Sequence, residues 1–129
     1  MSDELSKLPP AVQERLLRLQ QLQQSLQATV TQKQQTELEL GEIDSALEEV
    51  QKTPEDTPIY KSIGSLLVKS EKPKVTTELT ERRELLNTRI SVLTKQEERL
   101  RNQMKDLQTK LQQDLNPTAP PPPESMSPP

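Results

Sequence analysis

The sequence predicts a mainly α fold: a long antiparallel two-helix coiled coil joined by a central β-hairpin, with the chain oligomerising through that hairpin. Three observations predict it. The 12 prolines leave two proline-free windows, residues 11–53 and 74–116, each 43 residues long. Each window carries apolar residues at alternating steps of three and four, the heptad pattern of a helix with one buried seam. Between the windows, two short aliphatic and β-branched runs flank Gly64-Ser65, as strands flank a tight turn.

Composition narrows the function classes. Of 129 residues, 29% are hydrophobic and 29% charged, with 20 leucines, one tyrosine and no Phe, Trp, His or Cys. A globular core draws on aromatic bulk that this chain lacks. Without His or Cys there is no imidazole base, thiol nucleophile or Cys/His zinc site. Two isolated glycines, Gly41 and Gly64, cannot build a phosphate-cradling loop. No enzyme activity and no cofactor are therefore expected. Net charge is −3, which repels a nucleic acid backbone, and one aromatic gives no platform for base stacking. The start, Met1-Ser2-Asp3-Glu4-Leu5, is acidic where a signal peptide is basic, and no run approaches a membrane span, so a cytoplasmic chain is expected.

The boundaries follow from proline. Residues 1–8 read as a flexible N-terminus and 9–53 as the first helix, since Pro9-Pro10 suits an opening turn. Thr53-Pro54 ends that helix and Pro58 keeps it from resuming. Residues 54–72 hold a linker and the hairpin, with strands at 59–63 and 66–70. Residues 73–116 form the second helix, with Pro73 in its first turn and Ser70 a candidate cap. Asn116-Pro117 closes it, and residues 117–129, with Pro120 to Pro123, form a tail that is disordered or polyproline-like.

In the second helix the stripe runs Leu79, Arg83, Leu86, Ile90, Leu93, Glu97, Leu100, Met104, Leu107 and Leu111. In the first it runs Leu22, Leu26, Thr29, Lys33, Thr36, Leu40, Ile43, Leu47 and Val50, preceded by Val12, Leu16 and Leu19 after one phase shift. At 1.5 Å per residue each helix is about 65 Å long, too long to leave its stripe uncovered. Facing residues of an antiparallel pair have numbers with a constant sum. A sum of 126 sets seam against seam throughout, from Leu47 with Leu79 to Leu19 with Leu107, and its midpoint falls beside Gly64. The charges favour the same register. Glu37, Glu39, Glu42, Asp44, Glu48 and Glu49 lie opposite Arg82, Arg83 and Arg89. Lys33 and Glu97 make a candidate cross-helix pair in a weak layer.

In the hairpin, a glycine-first two-residue connection specifies a type II′ turn, with Ile63 opposite Leu66 and Lys61 opposite Val68. Ile59, Ile63, Leu66 and Val68 then share one face, and Tyr60 and Leu67 the other. A lone two-stranded hairpin is marginal in water and bares two edges. Other chains must then complete the sheet. The alternative is a loose loop joining two helices.

Two long helices around a central hairpin, with Gln20-Gln21-Leu22-Gln23, Gln32-Lys33-Gln34-Gln35 and above all Tyr60-Lys61-Ser62-Ile63-Gly64-Ser65-Leu66-Leu67-Val68-Lys69, resemble the prefoldins, in particular the archaeal beta class. The resemblance covers residues 8 to 115. The proline-rich tail departs from it. It implies an ATP-independent holdase subunit in a heterohexamer of two alpha-class and four beta-class chains, built on its hairpins. The arms would grip unfolded client proteins at their tips and deliver them to a group II chaperonin. Among the residues at the tips, Val12, Leu16, Leu17, Leu111 and Leu115 are the candidates for client contact, and Leu17 stands out because it falls off the seam. Ile59, Tyr60, Ile63, Gly64, Leu66, Leu67 and Val68 are the candidates for oligomerisation. The competing reading is a structural coiled-coil scaffold that dimerises without holding clients. A nucleic-acid-binding arm would need a basic stripe, and the two windows carry −3 and +2. The chain is expected to contact neither nucleic acid nor membrane.

Overall fold

The computed structural model describes residues 7–115. Its element order is α1 (Pro10–Lys52), β1 (Ile59–Ile63), β2 (Leu66–Ser70) and α2 (Lys72–Leu115). The helices form the antiparallel coiled coil and the strands the central hairpin. Residues 1–6 of the expected N-terminal segment and the expected tail, 117–129, lie outside the described residues.

Each helix begins where its backbone allows. The Pro9 carbonyl accepts from the amides of Val12 (3.0 Å) and Gln13 (3.1 Å), so Pro9 caps α1 and Pro10 takes the first helical position. Gln13 Nε2 adds a bond back to the Leu8 carbonyl at 2.7 Å. At the other end, Thr53 folds its amide onto the Val50 carbonyl (3.1 Å) and its hydroxyl onto the Glu49 carbonyl (2.8 Å). A turn from Pro54 to Thr57, closed at 3.1 Å, leads to β1. The cap of α2 is Glu71, whose carbonyl accepts from the Val75 amide at 2.9 Å. Ser70, the candidate cap, is instead the last residue of β2, and its buried hydroxyl has no hydrogen-bond partner.

Lys72, the first residue of α2, reaches across to the end of α1. Its Nζ donates to the carbonyls of Thr53 (2.9 Å) and Gln51 (3.3 Å) and lies 3.6 Å from Glu55. An ammonium at the exposed carbonyls of a helix C-terminus meets both its orphan acceptors and its negative dipole end.

The residues divide into two compact units, one from the described parts of Met1–Val30 and Lys95–Pro129, the other Thr31–Thr94. In the terminal unit the buried side chains are Val12, Leu22, Thr29 and Leu111. In the hairpin unit they are Thr36, Leu47, Val75, Leu86 and Leu93, with Leu86 fully enclosed. All are seam positions, and Val75 extends the α2 stripe one step before Leu79. The threonines are accommodated by bonding: Gln96 Nε2 donates to Thr29 Oγ1 at 3.1 Å, and Thr36 Oγ1 donates to the Gln32 carbonyl at 2.8 Å. Arg83, counted on the seam, is exposed, with its Nε 3.7 Å from Asp44. Its length lets the charged head leave the seam for water.

Cross-helix polar contacts bracket the register. Thr29 and Gln96 have numbers that sum to 125, and Asp44 and Arg83 to 127. Arg82 grips Glu39 through two guanidinium nitrogens, and Arg15 pairs with Asp114. Glu97 accepts from Arg101 Nε at 3.0 Å.

Candidate functional site

The hairpin is the part of the chain with least to hold it. Its register pairs Ile59 with Ser70, Tyr60 with Lys69, Lys61 with Val68, Ser62 with Leu67 and Ile63 with Leu66. Gly64 has φ 59° and no non-glycine residue has positive φ, so the turn is left-handed at its first central residue alone. That is the type II′ pattern, whose twist matches the strands.

Period-two alternation sorts the side chains onto two faces. Ile59, Lys61 and Ile63 lie on one face with Ser70, Val68 and Leu66. That face is anchored at its base. Lys61 Nζ donates to both carboxylate oxygens of Glu78 on α2, at 2.9 and 3.2 Å, and Ile59 and Ser70 are half-buried. The hydrogen bond from Lys61 holds the Glu78 carboxyl below its usual range against the opposing effect of burial, and the charges of Lys61 and Lys74 add to the lowering. Toward the turn the same face is open, with Ile63, Leu66 and Val68 exposed. The opposite face carries Tyr60 and Leu67, both exposed, Leu67 by 72%.

Ten strand residues thus supply five of the exposed large apolar side chains: Tyr60, Ile63, Leu66, Leu67 and Val68. Among the described residues the sheet has two strands, so each offers a bare row of backbone donors and acceptors. The arrangement can do one thing chemically: accept more strand and more apolar surface.

At the terminal unit the five candidates for client contact fall into three groups. Leu17 and Leu115 are exposed, by 57% and 59%. Leu16 is half-buried and lines a shallow apolar depression with Gln13, Leu17 and Gln20. Val12 and Leu111 are buried in the seam, where a second molecule would reach them only if the coil opened. Sequence counting did not single out Leu38, Leu85 and Val92, which are exposed on the hairpin unit. Their off-seam positions were the available signal. No helix of the described residues is long and apolar enough to cross a membrane.

These features define a class, the two-helix coiled coils centred on an unfinished hairpin. The family model described as "Prefoldin subunit" matches residues 13–117. Curated relatives include the prefoldin subunit beta of Archaeoglobus fulgidus, 48% identical over 115 residues that make up 89% of this chain and 99% of that protein. The beta subunit of Methanothrix thermoacetophila is 46% identical over 84% of this chain and 91% of its own length. The crystal structure of the prefoldin beta subunit from Thermococcus strain KS-1 superposes with a TM-score of 0.79 at 41% identity, covering 86% of this chain and 97% of that one. The chain belongs to the prefoldin subunit family, and its role is that of a non-enzymatic chaperone subunit. Membership implies hetero-oligomeric assembly with other prefoldin subunits.

Proposed function

We propose that this chain assembles through its hairpin with an alpha-class prefoldin subunit and further copies of itself, as two alpha and four beta chains. The complex holds unfolded proteins without ATP at the ends of its coils and delivers them to a group II chaperonin in the cytoplasm. One observation supports the assembly above all: apolar side chains are exposed on both faces of a two-stranded sheet whose edges are bare. A sheet of this size is not stable by itself in water, and added strands supply the missing bonds and cover the apolar faces. The exposure of Leu17 and Leu115 in the terminal unit supports client holding there, because apolar surface in water is what an unfolded chain also presents.

The test separates assembly from holding. Native mass measurement of the chain with its alpha-class partner should give a hexamer, and a dimer with a dispensable hairpin would establish the scaffold reading instead. Deleting residues 1–17 together with 108–129 should leave the hexamer intact and abolish suppression of client aggregation, measured by light scattering without ATP. Full protection by the truncated complex would remove the ends of the coil from the site.

A further inference from the structure

We propose that the outer face of α1 around Leu38 and Gly41 packs against the Leu85–Val92 face of α2 in a second copy of this chain. This rests on assembly through the hairpin and adds a second contact between copies that the hairpins have joined.

Three observations carry it. First, both faces are apolar surface that their own chain leaves open. Leu38 is 70% exposed, the most of any large apolar residue on the described helices, and Leu85 and Val92 are exposed as well. Gln34, Leu38, Gly41 and Ser45 follow steps of four, three and four, so they form one exposed stripe on α1, and Leu85, Arg89 and Val92 form another on α2. Second, Gly41 weakens the interior of α1, and no crowding among the described residues requires it, since a Cβ there would meet nothing within 4 Å. A glycine beside an exposed leucine lets another element approach the backbone closely. Third, the charges are complementary. Glu37 and Arg89 border the contact, both are exposed, and neither makes an ion pair among the described residues. Glu39, which lines a groove with Arg89, is held by Arg82.

The levels agree as well. Residues of α1 and α2 whose numbers sum to about 126 lie level in the coil, as the Thr29–Gln96 and Asp44–Arg83 contacts bracket. Copies joined through their hairpins at equal height share that level. Gly41 of one copy then meets Leu85 of the next, Glu37 meets Arg89, and Leu38 falls level with Thr88, midway between Leu85 and Val92. A leucine seated between two apolar side chains, with a leucine over a glycine one turn away, is knobs-into-holes packing. The α1 face supplies the acid and the small residue, and the α2 face the base and the bulk. The contact is therefore heterologous, and a second copy of this chain satisfies both sides. A few side chains are too little for a free-standing interface, so the contact acts between copies already held at high effective concentration.

The experiment uses the full chain assembled with its alpha-class partner. The chain has no cysteine, so benzophenone attached to Leu38→Cys before assembly marks that position alone. Irradiation should give an adduct of twice the chain mass under denaturing conditions, mapped by mass spectrometry to residues 85–92 of the second copy. An adduct with the alpha-class chain or with an unfolded client, or an attachment at residue 38 of the second copy, overturns the pairing. Glu37→Arg should lower the yield at least threefold, and adding Arg89→Glu should restore most of it. Gly41→Leu should lower the yield by a similar factor without loss of helical signal, which a merely structural glycine would not produce. Yields unchanged by these variants overturn the packing. Native mass separates the two readings. An assembled complex without the adduct sinks this contact alone, whereas a chain that stays monomeric sinks assembly through the hairpin and this contact with it.

Discussion

Gly64 is the residue at which the hairpin is won or lost. A Cβ there would touch nothing within 4 Å, yet its φ of 59° is a conformation that side-chain-bearing residues avoid. Gly64→Ala is therefore expected to cost about 1–3 kcal/mol through backbone strain alone, read as a loss of hairpin order or assembly with no loss of helical signal. Lys61 and Glu78 act on the other end of the same hairpin. Glu78 is held below its usual range by Lys61, so its contribution is present above the unfolded value of about 4.3 and is lost as pH falls through the lower folded value. Protection of β1 amides against hydrogen exchange, taken relative to the intrinsic rate at each pH, should fall across that acid window in the parent chain. Glu78→Gln should flatten the dependence, and an unchanged profile would show that the pair does not hold the hairpin.

At the scale of the helices, neighbouring leucines separate seam from surface. Leu86 is fully enclosed and Leu85 is 48% exposed. Leu86→Ala should cost about 2–5 kcal/mol in denaturant unfolding and Leu85→Ala under about 1 kcal/mol. Equal costs would mean that the seam is misplaced. Lys72 joins the elements by capping α1 from α2, so Lys72→Met should destabilise the chain by about 1–2 kcal/mol, mainly by fraying residues 49–53. The threonine layers explain why these helices need their leucines. Thr29 and Thr36 spend seam positions on hydroxyls that must be hydrogen-bonded rather than on apolar bulk.

For the molecule as a whole, the proposed assembly turns on the exposed apolar side chains of the hairpin. Tyr60→Ser with Leu67→Ser strips one sheet face, and Ile63→Ser with Leu66→Ser strips the open part of the other. Each pair should lower the assembled mass while leaving the helical content of the coil intact. The pairs touch opposite faces, so different effects would show which face meets the neighbouring subunit. An assembled mass that is unchanged with both pairs replaced would exclude the hairpin as the assembly surface.

Much of this was legible before any coordinates, for a physical reason. Helices this long announce themselves by period, proline placement and the constant sum of an antiparallel pair, all of which are local or pairwise. Gly64-Ser65 between two aliphatic runs specified the turn and register for the same reason, since turn chemistry is confined to a few residues. Only the tertiary structure decided what depends on side chains meeting across elements. It gave the cap of α2 to Glu71 instead of Ser70 and took Arg83 off the seam. It paired Lys61 with Glu78, set Lys72 on the end of α1, and divided the candidates for client contact into exposed Leu17 and Leu115 and buried Val12 and Leu111. Periodicity fixes which way a residue points, whereas how much of it remains in water depends on what packs beside it.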